Sequence, residues 1–260
     1  MAYRELVYNL AVRDLRLKYK RSTIGIVWSL LNPLFMMIIY TVAFSYILHA
    51  ANTHGRPYWT LVMGGLLAWF FFANAVGSAP VTFVHSSNLV SRLYFPIEAL
   101  PIATVLANFV NFLISLVLLL IALLLVDMPL GLSLVLLPVI LLAQLAFTIG
   151  IALCVATLTV YFRDLEHLVG IGLNAFFYLT PVLYVLNPEG LPGGAGTSRI
   201  LPYLKLNPMA WFLDSYHAVL YYGSWPDPKQ FSLMLLAAVI SLVGGYMIFI
   251  RLRARLPEEV

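Results

Sequence analysis

The chain has 260 residues, of which 62% are hydrophobic and 10% charged, and its formal net charge is +4. Mean hydropathy is +0.93, whereas a soluble domain carries about 25% charged residues. This composition excludes a soluble enzyme or a nucleic-acid-binding domain and points to an integral membrane protein. The single cysteine, Cys154, excludes an internal disulfide and reads as a small packing residue.

Residues 1–23 carry Arg4, Arg13, Arg16, Lys18, Lys20 and Arg21 and lack the compact apolar core of a cleavable signal. On a helix, Tyr3, Leu6, Val7, Leu10 and Leu17 share one side, with Asp14 intruding among them. The pattern predicts an amphipathic interface helix on the cytoplasmic membrane surface. Six long apolar stretches follow at 24–48, 58–84, 99–126, 130–162, 165–186 and 231–250. Each is comparable to or longer than the ~20 residues a helix needs to cross hydrocarbon. Lipid leaves only helices or a closed barrel for the backbone. The runs are continuous rather than alternating, which selects helices. The expected fold is therefore all-α, with residues 24–260 forming one six-span membrane domain.

Lys and Arg collect on cytoplasmic flanks. With six spans both termini share one side, which receives the six N-terminal basic residues with Arg92, Arg163, Arg251, Arg253 and Arg255. The other side keeps Arg56, Arg199, Lys205 and Lys229. Both termini are thus expected in the cytoplasm, and the positive charge is about orientation. Two loops are then cytoplasmic: 85–98 and the tight turn around Arg163-Asp164. The external segment 187–230 holds a Gly-rich stretch at 190–196, six prolines and many rings, including Trp211, Tyr216 and Trp225. It predicts a hinge followed by short re-entrant or interfacial helices, because amphipathic rings favour the headgroup level.

The glycine cluster lacks the Gly-Lys-Ser/Thr of a phosphate-binding loop, so no ATP site is expected in this chain. The histidines are scattered without a metal-binding arrangement, and neither catalytic nor metal-ligating residues are assigned. Asp214 and His217 are spaced to share a helix face and read as a mutually satisfied pair. The inner parts of the spans are almost free of Asp, Glu, Lys and Arg. An ion-coupled carrier needs such groups, which disfavours that class; a lipid-modifying enzyme would need a polar catalytic cluster at one face. What the spans do hold is rings: Tyr40 and Phe44, then Trp69, Phe70, Phe71 and Phe72, then Phe176, Phe177, Tyr178 and Tyr184. Sugar rings stack their C–H faces on aromatic rings, and tyrosine hydroxyls bond to sugar hydroxyls. Tyr40, Phe44, Trp69, Phe70, Phe72, Phe177 and Tyr184 are accordingly expected to border a glycan pathway.

Six motifs occur in order: 25–33 (GIVWSLLNP), 65–72 (GLLAWFFF), 88–101 (NLVSRLYFPIEALP), 161–165 (YFRDL), 178–184 (YLTPVLY) and 207–209 (NPM). Together they resemble the permease subunit of polysaccharide-exporting ABC transporters, the Wzm-like family of O-antigen, capsule and teichoic-acid exporters. The resemblance implies a homodimer in the bacterial inner membrane, bound by two copies of a separate ATPase subunit that holds ATP and Mg. It implies a lipid-linked polysaccharide substrate moved outward, and a coupling helix seated on the ATPase. On this chain the coupling residues are Ser87, Asn88, Arg92, Phe95, Pro96 and Glu98, with Arg163 and Asp164 as a second contact. Arg92 and Ile97 stand where relatives often carry lysine and arginine, so the loop is less basic than usual. A permease for teichoic acid, a drug or a small lipid is the alternative within the same architecture.

Overall fold

The computed structural model describes residues 2–19, 27–42, 57–83, 96–126, 128, 130–184 and 204–253. The Gly-rich stretch 190–196 and most of the loop 85–98 lie outside the described residues. Within them the chain is helical, and no strand occurs. In chain order the helices are α1 (Ala2–Tyr19), α2 (Trp28–Thr41), α3 (Tyr58–Ser78) and α4 (Ala99–Leu125). A 3-10 turn (Leu132–Leu136) leads into α5 (Leu137–Tyr161), followed by α6 (Leu165–Leu179) and α7 (Pro208–Tyr216). A π-helical turn (His217–Tyr222) continues α7, and α8 (Pro228–Leu252) closes the described chain.

Among the described residues four helices are long and apolar enough to cross a membrane: α3, α4, the segment Leu132–Tyr161, and α8. These match the expected second, third, fourth and sixth spans. In the first and fifth apolar stretches the described helices are shorter, α2 with 14 residues and α6 with 15. The end of α6 has a local cause. Pro181 disfavours helix at the residue before it, and Thr180 is extended at φ −108° and ψ 137°. Thr180 Oγ1 turns back to donate to the Phe176 carbonyl. Asn207 then joins this end to α7: its Nδ2 donates to Thr180 Oγ1 at 2.9 Å and to the Leu179 carbonyl. Its Oδ1 accepts from the Met209 amide, capping α7 ahead of Pro208.

α3 is the central helix and packs against α2, α4, α5, α6 and α7. The outer helices leave broad apolar faces uncovered, with Leu236, Val239, Ile240 and Val243 of α8 exposed. In water such a surface would aggregate; in a bilayer it is the surface that contacts lipid. α1 lies along α4 and buries Val7, Leu10 and Ala11. Its intruding Asp14 accepts a hydrogen bond from Thr104 of α4 at 3.1 Å and pairs with Arg13 at 3.0 Å.

The closest helix contact joins α5 to α8. A Cβ on Gly150 would come within 2.1 Å of the Ser241 carbonyl oxygen, and one on Gly245 within 2.0 Å of the Gly150 carbonyl oxygen. Hydrocarbon gives helices no solvent-driven reason to associate, so dispersion at close backbone approach and interhelical hydrogen bonds hold them. Ser241 Oγ donates to the Phe147 carbonyl at 2.8 Å. Tyr161 donates to the Leu252 carbonyl at 2.8 Å near the helix ends.

The segment of α7 and the π turn is too short to cross the bilayer and packs against α3, α5 and α8. Gly223, in the left-handed region at φ 60°, ends it. Asp214 and His217 do not form the expected pair. His217 is buried with Nε2 beside Gly65 of α3, facing the Leu61 backbone. Asp214 is opposed by Lys205 instead. Three-residue spacing suggested a shared helix face, but the imidazole is packed against α3 instead. Burial lowers the His217 imidazole to about 4, against the pull of the Leu61 backbone. It raises the Asp214 carboxyl from 3.8 to about 7.

Two outcomes follow from this packing. Gly150→Val forces α5 and α8 apart and should cost about 2–3 kcal/mol, read as a lower thermal midpoint in detergent. Gly170→Ala, where an added Cβ meets nothing within 4 Å, should leave the midpoint unchanged or slightly higher. The second outcome concerns Asp214. Folding favours its protonated form, so that stabilisation is present at low pH and is lost as pH rises from about 4 to about 7. Asp214→Asn should therefore melt about 3–6 °C above the parent at pH 8 and together with it near pH 4.

Candidate functional site

One end of the bundle gathers the residues expected to meet a motor. Pro96, Ile97 and Glu98 are half-buried and lead into α4. Their carbonyls accept from the amides of Ala99, Leu100 and Ile102, so the first turn of α4 is built on this tripeptide. Proline fixes its own φ and removes a donor, which makes the entry to α4 stiff. Tyr3 of α1 reaches the same place. Burial raises its phenol above the ordinary value, and the neighbouring Glu98 carboxylate and Tyr246 of α8 add to the rise. Ser87, Asn88, Arg92 and Phe95 lie outside the described residues.

Arg163 and Asp164 form the tight turn between α5 and α6, and both are exposed. The turn is closed by Leu165 N–H to the Phe162 carbonyl at 2.9 Å and Leu168 N–H to the Asp164 carbonyl at 3.1 Å. An open cleft of about 560 Å³ runs beside it, lined by Tyr161, Phe162, Arg163, Asp164 and Leu168. Because Tyr161 is tied to α8, this turn stands on the α5–α8 pair, the most closely packed part of the molecule. A force applied at the turn therefore reaches two helices at once.

The rings expected along a pathway divide into two groups. Trp69 and Phe72 are buried, and α6 brings Phe176 and Phe177 to them: Trp69 sits 5.8 Å from Phe176 and 5.6 Å from Phe177 between ring centroids. Phe72 stacks on Phe147 of α5 at 5.7 Å, and Phe147 meets Phe212 of α7 at 5.2 Å. Within one subunit these rings hold α3, α5, α6 and α7 together. Phe70 and Phe177 are half-buried. Tyr178 is 74% exposed, and Tyr184 donates to its carbonyl at 3.2 Å. The backbone of Tyr40 belongs to α2, but its side chain and the whole of Phe44 lie outside the described residues.

Residues not singled out from sequence are also brought together. Gln144 of α5, fully buried, donates to the Ala68 carbonyl of α3 at 2.8 Å and accepts from Tyr216 of α7 at 2.6 Å. Tyr216 meets Phe112 of α4 edge to face, and Phe112 stacks on Phe71. Four helices thus share one hydrogen-bonded, ring-lined knot. On α4, Thr104, Asn108, Asn111 and Ser115 fall at alternating spacings of four and three, a polar stripe on an apolar helix. That spacing is a signal the amino-acid order carries by itself.

Comparison with known proteins agrees with the geometry. Residues 5–221 match the family described as ABC-2 type transporter. The chain is 32% identical over 262 residues to the O-antigen export system permease protein RfbA of Myxococcus xanthus, covering 99% of this chain and 96% of that protein. It is 28% identical over 257 residues to an O-antigen export system permease protein RfbA of Klebsiella pneumoniae, covering 98% and 94%. A second Klebsiella pneumoniae protein of that name is 29% identical over 258 residues. With apolar helices long enough to span a bilayer and a match over most of its length, the chain belongs to the ABC-2 type transporter family.

Proposed function

We propose that this chain is the membrane subunit of an ATP-driven exporter that moves lipid-linked polysaccharide, O-antigen or a related glycan, out of the cytoplasm. The observation that carries the reading is the likeness to O-antigen export permeases along nearly the whole of both chains. In this reading the subunit has six spans, with α2 and α6 belonging to the first and fifth. Its termini are cytoplasmic, and two copies pair in the bacterial inner membrane. Two ATPase subunits dock at the end that carries residues 85–98 and the Arg163-Asp164 turn, and they alone hold ATP and Mg.

The mechanism rests on rigid levers. The turn between α5 and α6 supports two interlocked helices, and residues 96–98 open directly into α4, along which α1 lies. Closure of the ATPase pair would tilt these elements as bodies, since packed helices shift between discrete arrangements rather than deform. The glycan would pass between the two copies, held weakly by rings of α2 and α6 and by the half-buried Phe70 of α3, whereas Trp69 and Phe72 are buried within the subunit. Stacking and single hydroxyl contacts are individually small, which lets a polymer advance.

Two measurements test this. The chain should co-purify with the product of an adjacent ATPase gene, and hydrolysis should rise with lipid-linked glycan. Arg163→Ala combined with Asp164→Ala should lower the stimulated rate by about tenfold, as expected for loss of one or two contacts at an interface. Translocation by the chain alone on an ion gradient would overturn the assignment. The pathway is tested separately: Tyr40→Ala with Phe44→Ala should lower export severalfold while the complex still assembles. Unchanged export would remove these rings from the path.

A further inference from the structure

A cleft of about 420 Å³ opens between α1, α3 and α4, within the range of small-ligand sites, about 300–1,000 Å³. Its walls carry Asp14 of α1, Asn74 and Ser78 of α3, and Thr104, Asn108 and Asn111 of α4. On α4 the lining residues run from Thr104 to Asn111, about 10 Å of helix at 1.5 Å per residue, the deepest of them about 18 Å from its start. Polar groups at that depth are costly against lipid tails. Asn111 is buried, whereas Asn74, four residues before the end of α3, is exposed on a helix whose other faces are packed. The neighbouring Gly77 and Ala73 keep the wall beside it low.

The chemistry of the walls narrows what fits. Asn74 offers an amide donor and acceptor, while the Asn108 amide already donates to the Thr104 carbonyl, Ser78 to the Asn74 carbonyl and Thr104 to Asp14, which leaves those hydroxyl oxygens as acceptors. Among the described residues the one charged group lining the cleft, Asp14, is an acid already engaged by Thr104 and Arg13. The described lining residues include no cation, and acceptor oxygens beside the Asp14 carboxylate suit a ligand that donates hydrogen bonds rather than a phosphate, which accepts them. An apolar chain would leave the exposed Asn74 amide facing hydrocarbon. A neutral group dense in hydroxyls satisfies both conditions. We propose that this cleft is a recognition subsite for the neutral sugar rings of the lipid-linked cargo, close to where the saccharide enters the membrane domain. The inference rests on the function proposed above and deepens it.

The position also links binding to the motor. α4 starts directly from residues 96–98, and α1 rides on α4 through Val7, Leu10, Ala11 and the Asp14–Thr104 bond. A tilt of α4 therefore carries two walls of the cleft away from Asn74 on α3. Sugar held across the cleft would be gripped in one arrangement and released in the other.

The test uses the whole transporter, this chain with its ATPase, in vesicles. The probe is lipid-linked glycan extracted from host cells that lack the exporter. Asn74→Leu keeps the size and removes the amide. It should raise the glycan concentration giving half-maximal ATPase stimulation by about fivefold to tenfold, the worth of one or two hydrogen bonds. Asn74→Gln, which keeps the amide, should stay within about twofold of the parent. An equal response from Asn74→Leu and parent overturns the subsite and leaves the export function standing. A parent that ignores the glycan overturns both. Vesicles containing phosphatidylglycerol, without glycan, form a separate arm. If hydrolysis in them responds to that lipid and Asn74→Leu abolishes the response, the cleft holds a lipid headgroup and the proposal fails.

Discussion

Hydrocarbon neither donates nor accepts hydrogen bonds, and every other feature of this chain answers to that fact. The backbone closes its own bonds in helices. Many side chains that cannot reach water find partners inside: Gln144 between Ala68 and Tyr216, Ser241 on Phe147, Thr148 and Thr157 on carbonyls one turn back. Where association cannot rely on expelling water, backbones approach closely instead, as Gly150 and Gly245 do. The polar wall of the α1–α3–α4 cleft belongs to the same accounting, since amides left facing lipid at that depth would be expensive.

The same economy separates a stiff frame from a working surface. α5 and α8 are locked by glycine contact and by hydrogen bonds at Ser241 and Tyr161. The Arg163-Asp164 turn stands on that pair, and the stiff Pro96 entry stands on α4. Both points at which a motor would push thus sit on parts that transmit displacement rather than absorb it. The ring cluster around Trp69 has a complementary task, fastening α3 to α6 and, through Phe72 and Phe147, to α5.

Much of this could be read from the residues alone. Continuous apolar runs announced the helices, and α3, α4, α5 and α8 fall within or close to the expected bounds. Two helix starts carry a local signal that the structure brings out: Asn207 before Pro208 and Asp227 before Pro228, where a side-chain oxygen and a proline suit the first turn. The resemblance carried by the motifs agreed with the family match. What was not legible was mostly partnership. The α1 pattern marked Asp14 as an intruder without naming Thr104, ninety positions away, as its reason. Asp214 and His217 looked like a pair because they are three residues apart, and helix spacing is blind to a neighbour such as α3.

The sequence by itself determined the solvent, the helical class and where most helices start or stop, because hydropathy and capping act over one or two turns. Only the tertiary structure decided which faces meet: the glycines of α5 and α8, the Gln144–Tyr216 link, and the amides gathered around one cleft. Those outcomes depend on contacts between residues far apart in the chain, 72 positions for Gln144–Tyr216 and 94 for Phe147–Ser241, and the choice among competing helix faces is made by the fit of whole surfaces, which no local pattern encodes.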